Sequence, residues 1–166
     1  MNLIEIITKL FGNKAQKDMR AIQPYVEKIK VAYEHIDSLS NDELRALSQS
    51  LMARLQEVVA DKKHRIAELK SSIEDLEIDQ REKVYNEIDK LEKEIKDQYE
   101  STLTDMLPDV FAIVKSTARR FAENETVEVT ATPMDKDLAA DSRYDFVEIE
   151  GERAIYHTTW MAGGNE

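Results

Sequence analysis

The sequence predicts a mainly α-helical protein with a small β-rich segment towards its C-terminal end. Between Ser40 and Met106 the chain is highly charged and contains neither glycine nor proline. Apolar residues in that stretch recur every three or four positions, which is typical of a helix face that a second helix covers. After Asn124 the chain becomes rich in β-branched residues that alternate with polar ones, which indicates strands.

Composition narrows the class of protein. The 166 residues suffice for one modest core, or for a core with a projecting arm. The absence of cysteine excludes disulfides, thiolate zinc sites and cysteine nucleophiles, and it fits a reducing compartment. A net charge of -11 disfavours nucleic-acid binding, which needs a concentrated basic surface. No apolar run approaches the ~20 residues of a membrane-spanning helix, so we predict a cytoplasmic protein.

Residues 1–39 are predicted to form an amphipathic N-terminal helix and a docking helix. The first helix should end at Gly12-Asn13. Its apolar face consists of Leu3, Ile4, Ile7, Leu10 and Phe11. This face either packs on the chain's own core or lies on a membrane surface, with Lys14, Lys17 and Arg20 facing anionic lipid.

The docking helix should cover Lys14 to Asp37, with a kink or a restart at Pro24. Its inward face is predicted to consist of Ile22, Tyr25, Val26, Ile29, Tyr33 and Ile36.

Residues 40–106 are predicted to form a long antiparallel coiled-coil hairpin. Ser40 and Glu43 have the spacing of a capping box. The first arm, Asn41 to Leu76, would be roughly 50 Å long at 1.5 Å per residue, and the second runs from about Arg81 to Met106. The seam is expected to contain Ile66, Leu69, Ile73, Leu76, Val84, Ile88, Leu91 and Ile95. On the outer surface, Glu87 should pair with Lys90 and Glu92 with Lys96.

Residues 107–122 are predicted to form a new helix that starts at Pro108. Its apolar residues are Val110, Phe111, Ile113, Val114 and Ala118. A helix this apolar around its circumference is not a surface helix, so we expect it to connect the hairpin to a larger body. Lys115, Arg119 and Arg120 lie near its C-terminal end, where cations complement the helix dipole.

Residues 123–166 are predicted to form a small β-rich segment that is truncated. Strands are expected at Thr126–Thr132, Phe146–Ile149 and Ala154–Tyr156, with a hairpin turn at Glu150-Gly151-Glu152. Asp135–Ser142 should be a loop or a short helix. Because two or three short strands cannot form a stable core alone, we expect further chain to follow the tail after Trp160.

Catalytic patterns are missing from the sequence. Gly163-Gly164 is the only glycine pair, and no Lys-Ser or Lys-Thr of a P-loop follows it. The three histidines, His35, His64 and His157, fall on different predicted elements, so no metal site is expected. The sequence therefore predicts no catalytic activity, no cofactor and no metal in this chain.

Three blocks of sequence resemble the N-terminal region of the SecA family, the preprotein translocase motor ATPases. They are Asn2–Ala15, Leu39–Ala46 with Ala53-Arg54-Leu55, and Leu107–Phe121. The charged hairpin between Leu55 and Leu107 and the β-rich stretch from Glu123 to Trp160 depart from the compact family pattern and are interpreted as insertions.

The resemblance implies membership of a machine that uses ATP and Mg²⁺ to push unfolded preproteins through the SecYEG channel. The family's adenine-contacting glutamine and P-loop lie downstream of the third block, so this piece is not expected to bind ATP. The implied partners are SecYEG, anionic phospholipid, the remainder of the motor and, indirectly, the preprotein. The resemblance also implies that the N-terminal helix binds the inner face of the plasma membrane. The residues that would insert into lipid are Leu3, Ile4, Ile7, Leu10 and Phe11. Those that would contact lipid phosphates are Lys9, Lys14, Lys17 and Arg20.

The alternative is a free-standing coiled-coil interaction module without motor activity.

Overall fold

The computed structural model describes the backbone of residues 3–159 and the side chains of residues 14–159. It confirms the mainly α-helical fold with a small C-terminal sheet. The helices are α1 (Leu3–Ile36), α2 (Asn41–Glu57), α3 (Ala60–Ser72), α4 (Ile78–Glu123) and α5 (Pro133–Ala140). The strands are β1 (Thr126–Thr130), β2 (Val147–Glu150) and β3 (Arg153–His157), and a short 3-10 helix covers Ile73–Asp75. Trp160 and the Gly163-Gly164 pair lie outside the described residues.

The chain divides into two compact units. The hairpin unit is Arg45–Leu107, and the terminal unit contains the described residues up to Leu44 together with those from Pro108 onwards. Helices α2 and α4 each contribute to both units.

Seven of the eight predicted seam residues form one apolar cluster in the hairpin unit, and Leu76 is half-buried outside it. Ile66 and Leu69 of α3 and Ile88 of α4 are buried against one another. Ile73, Val84, Leu91 and Ile95 pack against this cluster. Lys62 donates to Gln98 (2.7 Å), and Lys70, which is later in α3, pairs with Glu92, which is earlier in α4 (3.2 Å). The two arms are therefore antiparallel, as predicted.

The predicted outer ion pairs of the hairpin are replaced by pairs between the arms. Glu87 accepts from Arg65 (3.0 Å) and Glu92 from Lys70 (3.2 Å), rather than from Lys90 and Lys96. A helical spacing only makes a pair possible. A cation on the facing helix competes for the same carboxylate, and the sequence alone does not reveal that cation.

The first arm of the hairpin is not one continuous helix, which corrects the prediction for Asn41 to Leu76. It is interrupted after Glu57, and α3 starts at Ala60 with Val59 at its N-cap. Val58 and Val59 are both β-branched and therefore weak helix formers. The interruption places the Val59 side chain in a fully buried position.

Two predicted helix boundaries are wrong: α1 does not end at Gly12-Asn13, and α4 does not begin at Pro108. At Pro24, where a kink or a restart was predicted, α1 continues without a restart. An interior glycine costs about 1 kcal/mol relative to alanine, and a proline removes one backbone donor. The remaining hydrogen bonds of a 34-residue and a 46-residue helix outweigh these local costs.

The terminal unit contains a three-stranded antiparallel sheet in the order β1-β3-β2. The predicted turn between β2 and β3 is confirmed, with Gly151 at a φ of 60°, which favours glycine. Strand β1 is shorter than predicted because Thr132 caps α5 through a capping box with Asp135. The buried Asp135 carboxylate also accepts a hydrogen bond from the Tyr156 hydroxyl and so ties α5 to β3.

Candidate functional site

The predicted membrane-binding residues divide into two groups. Lys14, Lys17 and Arg20 lie on α1 with exposed side chains. The side chains of Leu3, Ile4, Ile7, Lys9, Leu10 and Phe11 lie outside the described residues. The three cations succeed one another at intervals of three residues, so they form a basic band along one side of α1.

The inward face predicted for the second half of α1 is only partly buried. Ile36 is buried and Val26, Ile29 and Tyr33 are half-buried, but Ile22 and Tyr25 are exposed. Met19 and Val31 are exposed as well. The prediction assumed a helix that packs along its whole length, whereas between residues 14 and 36, the part of α1 with described side chains, burial begins only at Val26.

A group of polar contacts, here called the Asp37 cluster, joins the end of α1 to α4. The Asp37 carboxylate accepts hydrogen bonds from Ser116 Oγ (2.8 Å) and from Arg119 Nε (3.1 Å) and Nη2 (2.9 Å). Burial raises the pKa of Asp37, but hydrogen bonds from Ser116, Arg119 and Tyr33 outweigh it and hold this pKa below its usual value. The Lys115 ammonium lies 4.0 Å from the centre of the Tyr33 ring.

A second group of contacts joins the start of α2 to α4 and to the sheet. Arg120 donates to the side chain of Asn41 and to the carbonyl of Leu39. Asn41 in turn donates to the carbonyl of Glu128 in β1 (2.9 Å). Asp42 accepts from both the amide and the hydroxyl of Thr130 (2.8 Å each). These bonds satisfy backbone groups along the outer edge of β1, which would otherwise be open to other strands.

Helix α4 has two contrasting faces within the terminal unit. Ala112 and Ser116 are fully buried on the face towards the Asp37 cluster. The opposite face, here called the α4 outer face, carries four exposed apolar side chains. They are Val110 (41% exposed), Phe111 (56%), Val114 (62%) and Phe121 (41%). The sequence predicted that this helix is not a surface helix. Among the described residues, one side of the helix is buried and the other is exposed.

An apolar pocket of about 300 Å³ lies beside Phe121. Its lining consists of Phe121, Phe146, Tyr156, His157 and Thr158. Phe146 is held by an edge-to-face contact with Tyr144, with ring centres 5.7 Å apart. The pocket belongs entirely to the terminal unit and borders the α4 outer face at Phe121.

A second, polar groove of the terminal unit is lined by residues of α2 and α4. Arg119 and Arg120 line a polar groove with Ser40 and Asn41, but both guanidinium groups already donate to acceptors within the unit. In the part of the chain that the structure describes, no cluster of three or more histidine or carboxylate side chains could hold a metal ion. None of the described helices combines the length and the apolar character that crossing a membrane requires.

Neither the Asp37 cluster nor the α4 outer face was predicted from the sequence. Arg119 and Arg120 were expected to complement the helix dipole, whereas Arg119 contacts Asp37 and Arg120 contacts Asn41. A signal for the outer face was present. Leu107, Val110, Val114 and Phe121 fit a repeat of four and three residues, as in the hairpin seam.

Comparisons with known proteins give the same family as the three sequence blocks. A family model described as the SecA DEAD-like domain matches residues 7–133. The protein translocase subunit SecA of Parabacteroides distasonis is 54% identical over 166 residues, which are 100% of this chain and 15% of that protein. The proteins of the same name from Porphyromonas gingivalis and Flavobacterium psychrophilum are 49% and 41% identical, again over 100% of this chain and 15% of their own length.

No solved structure matches the chain significantly. The chain spans about 15% of the length of the curated relatives it matches. The family model covers well over half of it, and the relatives cover all of it, including the hairpin and the β-rich segment. The chain therefore belongs to the SecA family.

Proposed function

We propose that this chain is the N-terminal part of a SecA-type preprotein translocase, in which it braces the first motor domain and attaches the motor to the membrane and the SecYEG channel. The remainder of the protein would supply the ATP and Mg²⁺ site and would drive unfolded preproteins through the channel. The observation that carries the proposal is the exposed α4 outer face, in a chain that spans 15% of the length of its relatives.

The α4 outer face supports the bracing role because apolar side chains at helical spacing are stabilised by a covering partner. Burial of a valine or phenylalanine side chain contributes about 1.5–3 kcal/mol. The opposite face of the same helix is already fixed by Ser116 and Arg119 to Asp37. A domain that docks on Val114 and its neighbours would therefore meet a helix that is already held in place, which reduces the entropic cost of docking.

Photo-crosslinking in the full-length translocase tests the bracing role. A benzophenone amino acid replaces Val114, and Lys96, an exposed polar position of the same helix, serves as the control. We expect residue 114 to crosslink efficiently to a peptide of the same polypeptide that lies beyond residue 166, and residue 96 to do so far less. Absence of such a crosslink from residue 114 would contradict the bracing role.

The basic band of α1 supports the membrane role. Lys14, Lys17 and Arg20 are exposed, so they are available to lipid phosphates. The backbone of α1 is one continuous helix from Leu3 to Ile36, so on this proposal the predicted apolar residues and the basic band belong to the same helix. On this proposal the protein is peripheral at the inner face of the plasma membrane.

Vesicle co-sedimentation tests the membrane role. We expect the chain to sediment with vesicles rich in phosphatidylglycerol and to remain in solution with pure phosphatidylcholine. The change Leu3→Glu with Ile7→Glu should reduce sedimentation at least tenfold, because the inserting face acquires two charges. The matched change Thr8→Glu with Gln16→Glu, off that face, should have a much smaller effect. Equal losses in both variants would contradict the role of the apolar face, and indifference to lipid charge would favour the free-standing interaction module.

A further inference from the structure

Helix α4 and the β-rich segment both contribute residues to the apolar pocket beside Phe121. Phe121 belongs to the block that resembles the SecA family, whereas Phe146, Tyr156, His157 and Thr158 belong to the stretch that departs from the compact family pattern. The pocket therefore exists only because the β-rich segment packs against the end of α4.

The polar groups around the pocket already have hydrogen-bond partners within the terminal unit. The Thr158 hydroxyl lies within hydrogen-bond distance of the carbonyls of Asn124 (2.9 Å) and Glu125 (3.2 Å). The Tyr156 hydroxyl donates to Asp135, and the His157 Nε2 lies 3.0 Å from Glu148 Oε1. What the pocket offers a ligand is apolar surface, so a nucleotide or another strongly polar molecule would lose its hydration without compensation.

The size of the pocket fits one or two apolar side chains. A cavity of about 150 Å³ lined by aliphatic and aromatic groups is known to hold benzene. The volume here is about 300 Å³, and the pocket is open on one side. An aromatic residue, or two neighbouring aliphatic residues, of a docking segment would fill it.

We infer that this pocket is the second half of the docking surface and receives an apolar side chain of the remaining motor polypeptide. The inference rests on the proposed function, in which the motor covers the α4 outer face. Two observations favour this occupant over a separate ligand. Phe121 belongs to both surfaces, so a domain that covers Val114 and Phe121 reaches the pocket rim. The relatives are also several times longer than this chain, which spans 15% of their length.

The β-rich segment would thus add contact area to the motor interface instead of standing apart from it.

The experiment is photo-crosslinking from the pocket in the full-length translocase, with the benzophenone amino acid at His157. The control position is Glu152, an exposed residue of the β2–β3 turn in the same sheet. We expect residue 157 to crosslink to an apolar peptide beyond residue 166 at least fivefold more efficiently than residue 152. A second measurement is stability: Phe146→Ala should lower the melting temperature of the full-length protein more than that of the 166-residue chain.

The outcomes separate this inference from the proposed function. Crosslinks to the motor from residue 114 but not from residue 157 would overturn the inference and leave the bracing role intact. Crosslinks from neither position would overturn both. A crosslink from residue 157 that ends within residues 1–166, or on another protein, would also overturn the inference, because the occupant would then be different.

Discussion

The two ends of helix α4 carry the same kind of apolar stripe in opposite environments. In the hairpin unit, Ile88 is buried against Ile66 and Leu69 of α3, with Val84, Leu91 and Ile95 packed around them. In the terminal unit, Val110, Val114 and Phe121 continue a similar spacing but are exposed. The hairpin stripe has its partner within this chain, whereas among the residues that the structure describes nothing covers the terminal stripe.

The difference shows that each unit is stabilised internally by a different kind of interaction. The hairpin unit depends on an apolar seam, with ion pairs such as Arg65–Glu87 on its surface, where each contributes little. In the terminal unit, the end of α1, α4 and the sheet are joined by directional contacts of Asp37, Asn41, Asp42 and Arg120. We infer that these polar contacts keep α4 oriented while its outer face is free for a partner.

The largest expected effect is in the hairpin seam. Leu69→Asp with Ile73→Asp should destabilise the hairpin unit by about 4 kcal/mol or more, since it removes apolar packing and places two charges in the seam. Circular dichroism should report a clear loss of helical signal. The control is Ala67→Asp with Ser71→Asp, which adds the same charges at exposed positions of α3. If the seam and control variants melt alike, the arms do not depend on this seam.

An intermediate effect is expected at the Asp37 cluster, and it should depend on pH. The pKa of Asp37 is lowered in the folded chain, whereas an unfolded aspartate titrates near about 3.9. The stabilisation is therefore fully present above about pH 4, and it is lost as the pH falls through the lower, folded-state pKa. Asp37→Asn should lower the melting temperature at pH 7 and reduce the difference between melting temperatures at pH 7 and pH 3.

The matched control for this cluster is Asp145→Asn, which removes an exposed carboxylate from the same unit. It should leave both the melting temperature at pH 7 and its pH dependence close to those of the unmodified chain. An Asp37→Asn variant with an unchanged pH dependence would mean that the cluster does not stabilise the terminal unit.

The smallest effect is expected on the α4 outer face of the isolated chain. Phe111→Ser and Val114→Ser should each change the free energy of unfolding of the 166-residue chain by only about 0.5 kcal/mol, as is usual for exposed positions. Urea unfolding followed by circular dichroism gives this value. A loss of about 2 kcal/mol or more would mean that the outer face is covered within this chain, and the contrast between the two ends of α4 would disappear.

Local sequence patterns were sufficient for elements whose partners are close along the chain. The hairpin seam, the Ser40–Glu43 capping box and the Gly151 turn were all predicted, and the structure contains them. In each case the interacting residues lie on one element or on neighbouring ones, so periodicity and turn chemistry describe nearly the whole interaction. The family also followed from short blocks of sequence, and the matching relatives confirm it.

The sequence alone thus determined the helical character, the seam residues and the family. The tertiary structure decided which carboxylates pair with which cations, that Pro24 and Pro108 lie inside continuous helices, and that α4 buries Ala112 and Ser116 while Val114 stays exposed. It also formed the Asp37 cluster, in which Asp37 and Ser116 lie 79 positions apart. The physical reason is that propensity and periodicity act over a few residues, whereas burial and pairing depend on the distant segments that folding brings to each face.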